Sequence, residues 1–178
     1  DLVERRVLVH VGQYRQAEFG LHALENPQRD VNRIVLPPAS FAHEHEKIDK
    51  RWPAAARFIR DEGLNEVFDG SRDDVGIIVQ GGLYNTLIRT MERLGLADTF
   101  GDADLPIYVL NVAYPLVDEE VVDFCAGKNA VLLVEEGQPN FIEQAIDSVL
   151  RKAEQETVLV GKRVFPMAGE YTASVMRA

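Results

Sequence analysis

The sequence predicts an α/β fold, a three-layer α/β/α sandwich with a mostly parallel sheet. Strand-like segments recur at Val75–Gln80, Ile107–Val112, Ala130–Glu135 and Val158–Phe165, and helical segments separate them. The first and third segments are apolar runs without alternation, as expected of strands covered on both faces, and each leads into a glycine at a strand-to-helix junction. The order βαβαβαβ favours parallel strands joined by right-handed crossovers.

The helices between these strands have the periodicity of helices that pack on a sheet. They are predicted at Tyr84–Leu94, Asp118–Cys125 and Phe141–Ala153. Apolar residues share one face of the first helix (Leu87, Ile88, Met91, Leu94) and of the last (Phe141, Ile142, Ala145, Ile146, Val149, Leu150).

Residues 1–70 are predicted to form a linker region with a helical docking arm, and residues 71–178 the α/β domain. The linker contains possible strand fragments at Val7–Val11 and Arg33–Leu36. A helix is expected from about Ser40, with a kink or restart at Pro53, because proline lacks an amide donor and clashes with the preceding turn. The absence of an initial methionine leads us to expect a segment of a longer polypeptide.

Composition limits the classes of function. The net charge of −10, with basic residues interspersed among acids, argues against nucleic-acid binding. The sequence shows no membrane-spanning run and no signal segment, so the default expectation is a cytoplasmic protein. The single cysteine, Cys125, cannot supply the thiolates of an iron–sulfur cluster, and we expect it to be buried and inert.

Two junctions carry the candidate site residues. Gly81, Gly82, Tyr84 and Asn85 follow the first buried strand, whereas Glu135, Glu136 and Gly137 lie at the end of the third. Because ligands and partner domains usually meet an α/β sheet at its carboxyl edge, these residues are predicted to form an interface or ligand edge. Adjacent carboxylates in a strand point in opposite directions, so helix capping or interface contact is favoured over catalysis.

No catalytic, cofactor-binding or metal-binding residue is predicted. Gly81-Gly82 lacks the spacing of a dinucleotide fingerprint or a phosphate-binding loop. His43-Glu44-His45-Glu46 lacks the spacing of helical metalloproteases, which favours a solvated or docking face. Gly101-Asp102-Ala103 departs from the glycine-aspartate-glycine pattern of thiamine enzymes, because its last residue is alanine and it follows a helix rather than a strand.

The amino-acid sequence of the domain resembles that of the indolepyruvate ferredoxin oxidoreductases, within the thiamine-dependent 2-oxoacid:ferredoxin oxidoreductase family. The resemblance covers most of residues 74–150. It rests on a glycine-isoleucine-isoleucine stretch with a tyrosine-containing helix in Asp74–Leu96, a tyrosine-proline-leucine segment in Asn111–Leu116, and a valine-glutamate-glutamate segment in Val131–Gln144.

The resemblance implies a fold like the C-terminal domain of transketolase, in an enzyme that converts a 2-oxoacid and coenzyme A to acyl-CoA and carbon dioxide while reducing ferredoxin. Thiamine diphosphate, magnesium and iron–sulfur clusters are implied for the full enzyme and not for this segment. The implied partners are other domains or subunits of the enzyme, with ferredoxin and coenzyme A, and a homodimer is possible. The implied role of the segment is a non-catalytic structural or docking domain that is inactive in isolation.

Two alternatives remain open at this point. One is a free-standing nucleotide- or coenzyme A-binding module of flavodoxin-like architecture that uses the Gly81-Gly82 turn. The other is the equivalent domain of a transketolase or a pyruvate dehydrogenase-type enzyme.

Overall fold

The computed structural model describes residues 36–177, which fall into two compact units divided between Lys47 and Ile48. In the first unit, helix α1 spans Ala39–Glu46, where a helix was predicted. The predicted strand fragment Val7–Val11 lies outside the described residues, as does Arg33–Leu36 apart from its last residue.

Pro53 follows a change in helical winding. A π-helical turn, Lys47–Arg51, leads directly into helix α2, Trp52–Asp61, and Pro53 occupies the second position of α2. The helix type therefore changes just before Pro53, and the kink or restart expected there stays a prediction.

The sheet has five strands among the described residues, in the order β1-β3-β2-β4-β5. They are β1 Glu66–Phe68, β2 Val75–Gln80, β3 Ile107–Leu110, β4 Ala130–Val134 and β5 Val158–Val160. β1 pairs antiparallel with β3, and the other three pairings are parallel. The predicted mostly parallel sheet is confirmed.

Helices cover both faces of the sheet and complete three layers. Helices α4 (Asp118–Cys125) and α5 (Phe141–Lys152) bury their apolar residues on one face. Helix α3 (Tyr84–Leu94), preceded by a 3₁₀ turn at Gly81–Leu83, packs on the other with the short α6 (Ala173–Arg177). The predicted α/β/α sandwich is therefore correct.

Three strands are shorter than predicted. β3 ends at Leu110 and not at Val112, β4 ends at Val134 and not at Glu135, and β5 ends at Val160 and not at Phe165. At the end of β5, the Lys162 amide donates to the Glu143 carboxylate at 3.0 Å, and a Cβ on Gly161 would lie 2.7 Å from the same carboxylate. The chain turns at Gly161 to make this contact, so the strand stops there.

Not every apolar residue of the predicted helix faces reaches the core. Leu94, at the end of α3, is 49% exposed, and Phe141, at the start of α5, is 68% exposed. Within residues 36–177, no helix is both long and apolar enough to cross a membrane. The division into an arm of residues 1–70 and a domain of residues 71–178 stays a prediction.

Candidate functional site at the carboxyl edge of the sheet

The structure brings the two predicted junctions together. β2 and β4 are neighbours in the sheet, so their carboxyl ends lie side by side. The Gln80 side chain, at the end of β2, accepts a hydrogen bond from the Glu136 amide with an N–O distance of 2.7 Å. The residues that follow β2 and β4 therefore belong to one edge.

Glu135 caps a helix. Only 4% of this residue is exposed, and its two carboxylate oxygens accept from the amides of Ile142 (2.9 Å) and Glu143 (3.0 Å). These amides lie in the first turn of α5, where backbone donors lack intrahelical partners and the helix dipole favours a negative charge. The carboxylate thus fixes the strand end to the helix that follows it.

Glu136 holds the C-terminal segment. One of its carboxylate oxygens accepts from the amide of Tyr171 at 2.5 Å, and Tyr171 is itself buried. The Lys162 ammonium donates to the Gly137 carbonyl at 2.7 Å and to the Tyr171 hydroxyl at 2.8 Å. Gly137 has a φ of 96°, a conformation that favours glycine. The turn after β4 is therefore tied to the segment that leads into α6.

The two glycines after β2 differ in what they require. A Cβ on Gly81 would overlap the Oδ1 atom of Asn111, whose side chain is anchored by donating to Glu66 (2.8 Å) and to the Leu64 carbonyl (3.0 Å). A Cβ on Gly82 would meet nothing within 4 Å. Close packing therefore requires glycine at position 81, whereas position 82 is open surface.

Tyr84 and Asn85 begin α3 beside these glycines. The Tyr84 ring stacks on Phe68 of β1, with ring centroids 5.2 Å apart. Burial, and then the negative charge of Glu66, raise the pKa of Tyr84. Asn85 is exposed at the same edge. This side of the edge offers an aromatic surface and an amide to a neighbour.

An apolar groove at the same edge was not predicted. We define it by its lining residues: Ala113, Tyr114, Leu116, Phe141, Ile142 and Ala145, which enclose about 430 Å³. An adjoining hollow of about 260 Å³ extends along α5 to Trp52, which packs edge-on against Tyr114 with ring centroids 4.7 Å apart. The exposure of Phe141 depends on tertiary packing, and no local pattern in the sequence indicated the groove.

A buried polar cluster lies behind the edge. The Tyr108 hydroxyl donates to the Glu120 carboxylate at 2.6 Å, and the Asn65 amide donates to both the Tyr108 hydroxyl (3.2 Å) and Glu120 (3.1 Å). Burial, and then the hydrogen bond and charge of Glu120, raise the pKa of Tyr108. The side-chain Oδ1 atom of Asn65 also accepts from the Val112 amide at 2.9 Å, so the cluster fixes the start of the loop that forms the groove.

The described residues do not fit the cofactors that the resemblance implies for the full enzyme. An iron–sulfur cluster needs several thiolates, but Cys125 is buried, and burial raises the pKa of its thiol to about 11. Asp102 is an exposed loop residue whose amide donates to Asp98. Across residues 36–177, the structure contains no group of three or more histidine, cysteine, aspartate or glutamate side chains that could hold a metal ion.

The fold and the edge define a class: an α/β domain whose carboxyl-edge carboxylates bond to its own helices and loops, beside an open apolar groove. The model of the indolepyruvate ferredoxin oxidoreductase middle domain matches residues 64–163. The chain belongs to this family.

Curated relatives agree with the assignment. The chain is 31% identical over 154 residues to the indolepyruvate oxidoreductase subunit IorA of Methanothermobacter thermautotrophicus, a match that covers 84% of this chain and 24% of the relative. It is 28% identical to the same subunit of Methanothermobacter marburgensis, covering 83% of this chain and 21% of the relative. The chain therefore spans about a quarter of the length of these relatives.

Solved structures that match part of the chain include a 2-oxoglutarate:ferredoxin oxidoreductase from Magnetococcus marinus. Its TM-score is 0.49 at 18% identity, and the match covers 80% of this chain and 23% of that one. A split-gene transketolase matches with a TM-score of 0.40 at 22% identity, covering 60% of this chain and 36% of that one.

Proposed function

We propose that this domain is a non-catalytic structural and docking element of a thiamine diphosphate-dependent oxidoreductase that acts on 2-oxoacids of the indolepyruvate type. The whole enzyme would convert the 2-oxoacid and coenzyme A to acyl-CoA and carbon dioxide and pass two electrons to ferredoxin. Thiamine diphosphate would supply the carbanion chemistry. Other domains or subunits would hold it, because the described residues do not fit it.

One observation supports the non-catalytic role. Both carboxylates at the end of β4 accept hydrogen bonds from backbone amides of this domain, Glu135 from the first turn of α5 and Glu136 from Tyr171. A general acid or base must reach the proton that it transfers. Glu135 is buried with both oxygens already engaged, which suits a residue that holds the edge in place.

Turnover of the complete enzyme with its partner subunits tests this role. We would measure kcat and KM for indolepyruvate with coenzyme A and a viologen dye as electron acceptor, comparing the wild type with Asn85→Ala and Glu136→Gln. Glutamine keeps an oxygen that can accept from the Tyr171 amide. We expect kcat of both variants to stay within about twofold of the wild-type value, because neither residue is proposed to transfer a proton. Removing a general acid or base would instead lower kcat roughly 10²- to 10⁴-fold.

Two outcomes would contradict different parts of the proposal. A hundredfold loss of kcat in either variant, without loss of stability, would assign a catalytic role to the edge. No 2-oxoacid-dependent dye reduction by the wild-type enzyme would remove the assignment to this reaction.

Thiamine diphosphate binding provides an independent test. Calorimetry of the complete polypeptide with thiamine diphosphate and Mg²⁺ should give the same affinity for the wild type and Asp102→Asn, because Asp102 is an exposed loop residue. Loss of binding in Asp102→Asn alone would show that this loop does hold the cofactor.

A further inference from the structure

The apolar groove leaves large side chains in water. Phe141 is 68% exposed and Tyr114 is 74% exposed, and both line the same 430 Å³ hollow. Contiguous exposed apolar surface of this kind marks interaction sites more often than single exposed apolar residues do. Ala145, also exposed, continues the surface along α5.

The apolar stripe of α5 is wider than the sheet needs. Ile142, Ile146, Val149 and Leu150 are buried in the core on this face of the sheet. Phe141 and Ala145 extend the stripe toward the groove, and their side chains are exposed and lie outside the core of this domain. A helix that is apolar beyond its buried face has a second surface to cover.

The chemistry of the groove suits a protein side chain better than a small molecule. Of its six lining residues, only Tyr114 carries a polar side-chain atom. Small-molecule sites usually combine apolar walls with several convergent polar groups that orient the ligand. The adjoining hollow at Trp52 lengthens the groove along the helix, and Asp118, Ser148 and Lys152 add polar groups to it, which fits a segment of polypeptide that carries polar as well as apolar side chains.

We infer that the groove binds apolar side chains from a neighbouring domain of the same polypeptide. This inference rests on the proposed function and identifies the docking surface of the domain. The length of the relatives supports this occupant. The matched part covers 24% of one relative and 21% of the other, so in each of them about three quarters of the polypeptide lies outside the part that resembles this domain. The groove lies at the carboxyl edge, which is the side of an α/β sheet where binding sites are usually found.

Site-specific photo-crosslinking in the complete polypeptide tests the inference. Phe141 is replaced by benzoylphenylalanine, which keeps an aromatic side chain in the groove, and cross-linked peptides are identified by mass spectrometry. Asp147 carries the same group in the control. It lines neither the groove nor the adjoining hollow, and 61% of its side chain is exposed. We expect cross-links from position 141, but not from position 147, to peptides of the same polypeptide outside residues 1–178.

Thiol protection supplies a second readout. In the same polypeptide, Phe141→Cys should react with a maleimide at least tenfold more slowly than Asp147→Cys. Equal rates, or cross-links confined to residues 1–178, would overturn the inference. Protection that is lost on dilution would assign the groove to a second copy, and protection that appears only with added indole would assign it to a small molecule; either result also overturns the inference.

Neither measurement depends on turnover. If the enzyme acts on a different substrate, the dye assay fails while the cross-links and the protection persist.

Discussion

Removing the Glu135 carboxylate should destabilise the domain. The carboxylate accepts from the amides of Ile142 and Glu143 in the first turn of α5 and is almost fully buried. In Glu135→Ala both amides lose their acceptor, and water replaces it only in part at this buried position. Glu135→Gln keeps one oxygen that can accept from one amide, while its NH₂ group faces the other donor.

The size of the effect follows from the two hydrogen bonds. Bonds to a charged partner contribute about 1.5–3 kcal/mol each, and removing an exposed N-cap costs about 0.5–2 kcal/mol. Because the amides regain part of their hydration at the helix end, we expect Glu135→Ala to lower the free energy of unfolding by about 3 kcal/mol and Glu135→Gln by about 1.5 kcal/mol. For a protein of this size, 3 kcal/mol corresponds to a fall in Tm of roughly 6–12 °C.

Urea and thermal unfolding followed by circular dichroism measure this loss. Glu119→Ala is the matched control, because Glu119 is an exposed acid in the first turn of α4. Its charge near the helix N-terminus contributes only about 0.3–1 kcal/mol. If Glu135→Ala loses no more stability than Glu119→Ala, the carboxylate does not hold α5 in place, and its assignment to a partner or ligand becomes the better one.

Other residues give further tests. Gly81→Ala should cost about 1–3 kcal/mol, because the new methyl group overlaps an anchored amide oxygen, whereas Gly82→Ala should change stability by less than about 0.5 kcal/mol; equal unfolding midpoints would refute the packing argument. Tyr108→Phe should cost about 1–2 kcal/mol at neutral pH. Since folding raises the pKa of Tyr108, the stability gained from its neutral hydroxyl is complete below the unfolded pKa of about 10 and falls as pH rises above it, so unfolding from pH 9 to 11 should be less pH-dependent in Tyr108→Phe than in the wild type. At pH 8 the Cys125 thiol, whose pKa burial raises to about 11, should react with a thiol reagent about a hundredfold more slowly in the native protein than in denaturant, and fast native labelling would place it at the surface.

The regular part of the fold could be predicted because each element carried its own signal. The bounds of β2, α3 and α4 agree with the prediction, since an unbroken apolar run, helical periodicity and a glycine or acidic start mark their limits locally. β1 was missed because it has three exposed residues, Glu66–Phe68, and forms only through pairing with β3. A strand of this length has no recognisable periodicity.

The site could be predicted only in part. Alternation along a strand predicted that Glu135 and Glu136 point in opposite directions, and the structure agrees: Glu135 bonds to α5 on one face, and Glu136 to Tyr171, which packs with the core of the other face. The hydrogen-bond partner of each carboxylate could not be predicted, because it depends on where α5 and the C-terminal segment pack. Local sequence patterns do not determine that packing. The groove likewise exists only where the loop after β3 meets α5.

The arrangement of carboxylates has a consequence for how the domain could meet a neighbour. Because Glu135 and Glu136 each fix one helical layer to the sheet, and Gln80 joins the end of β2 to the end of β4, the polar groups of the edge hold its three layers together. A partner that bound through the Glu135 carboxylate would have to break hydrogen bonds on which the fold depends. Covering Phe141 and Tyr114 in the apolar groove has no such cost, since it mainly removes apolar surface from water. Docking through the groove is therefore compatible with a rigid edge, whereas docking through Glu135 is not.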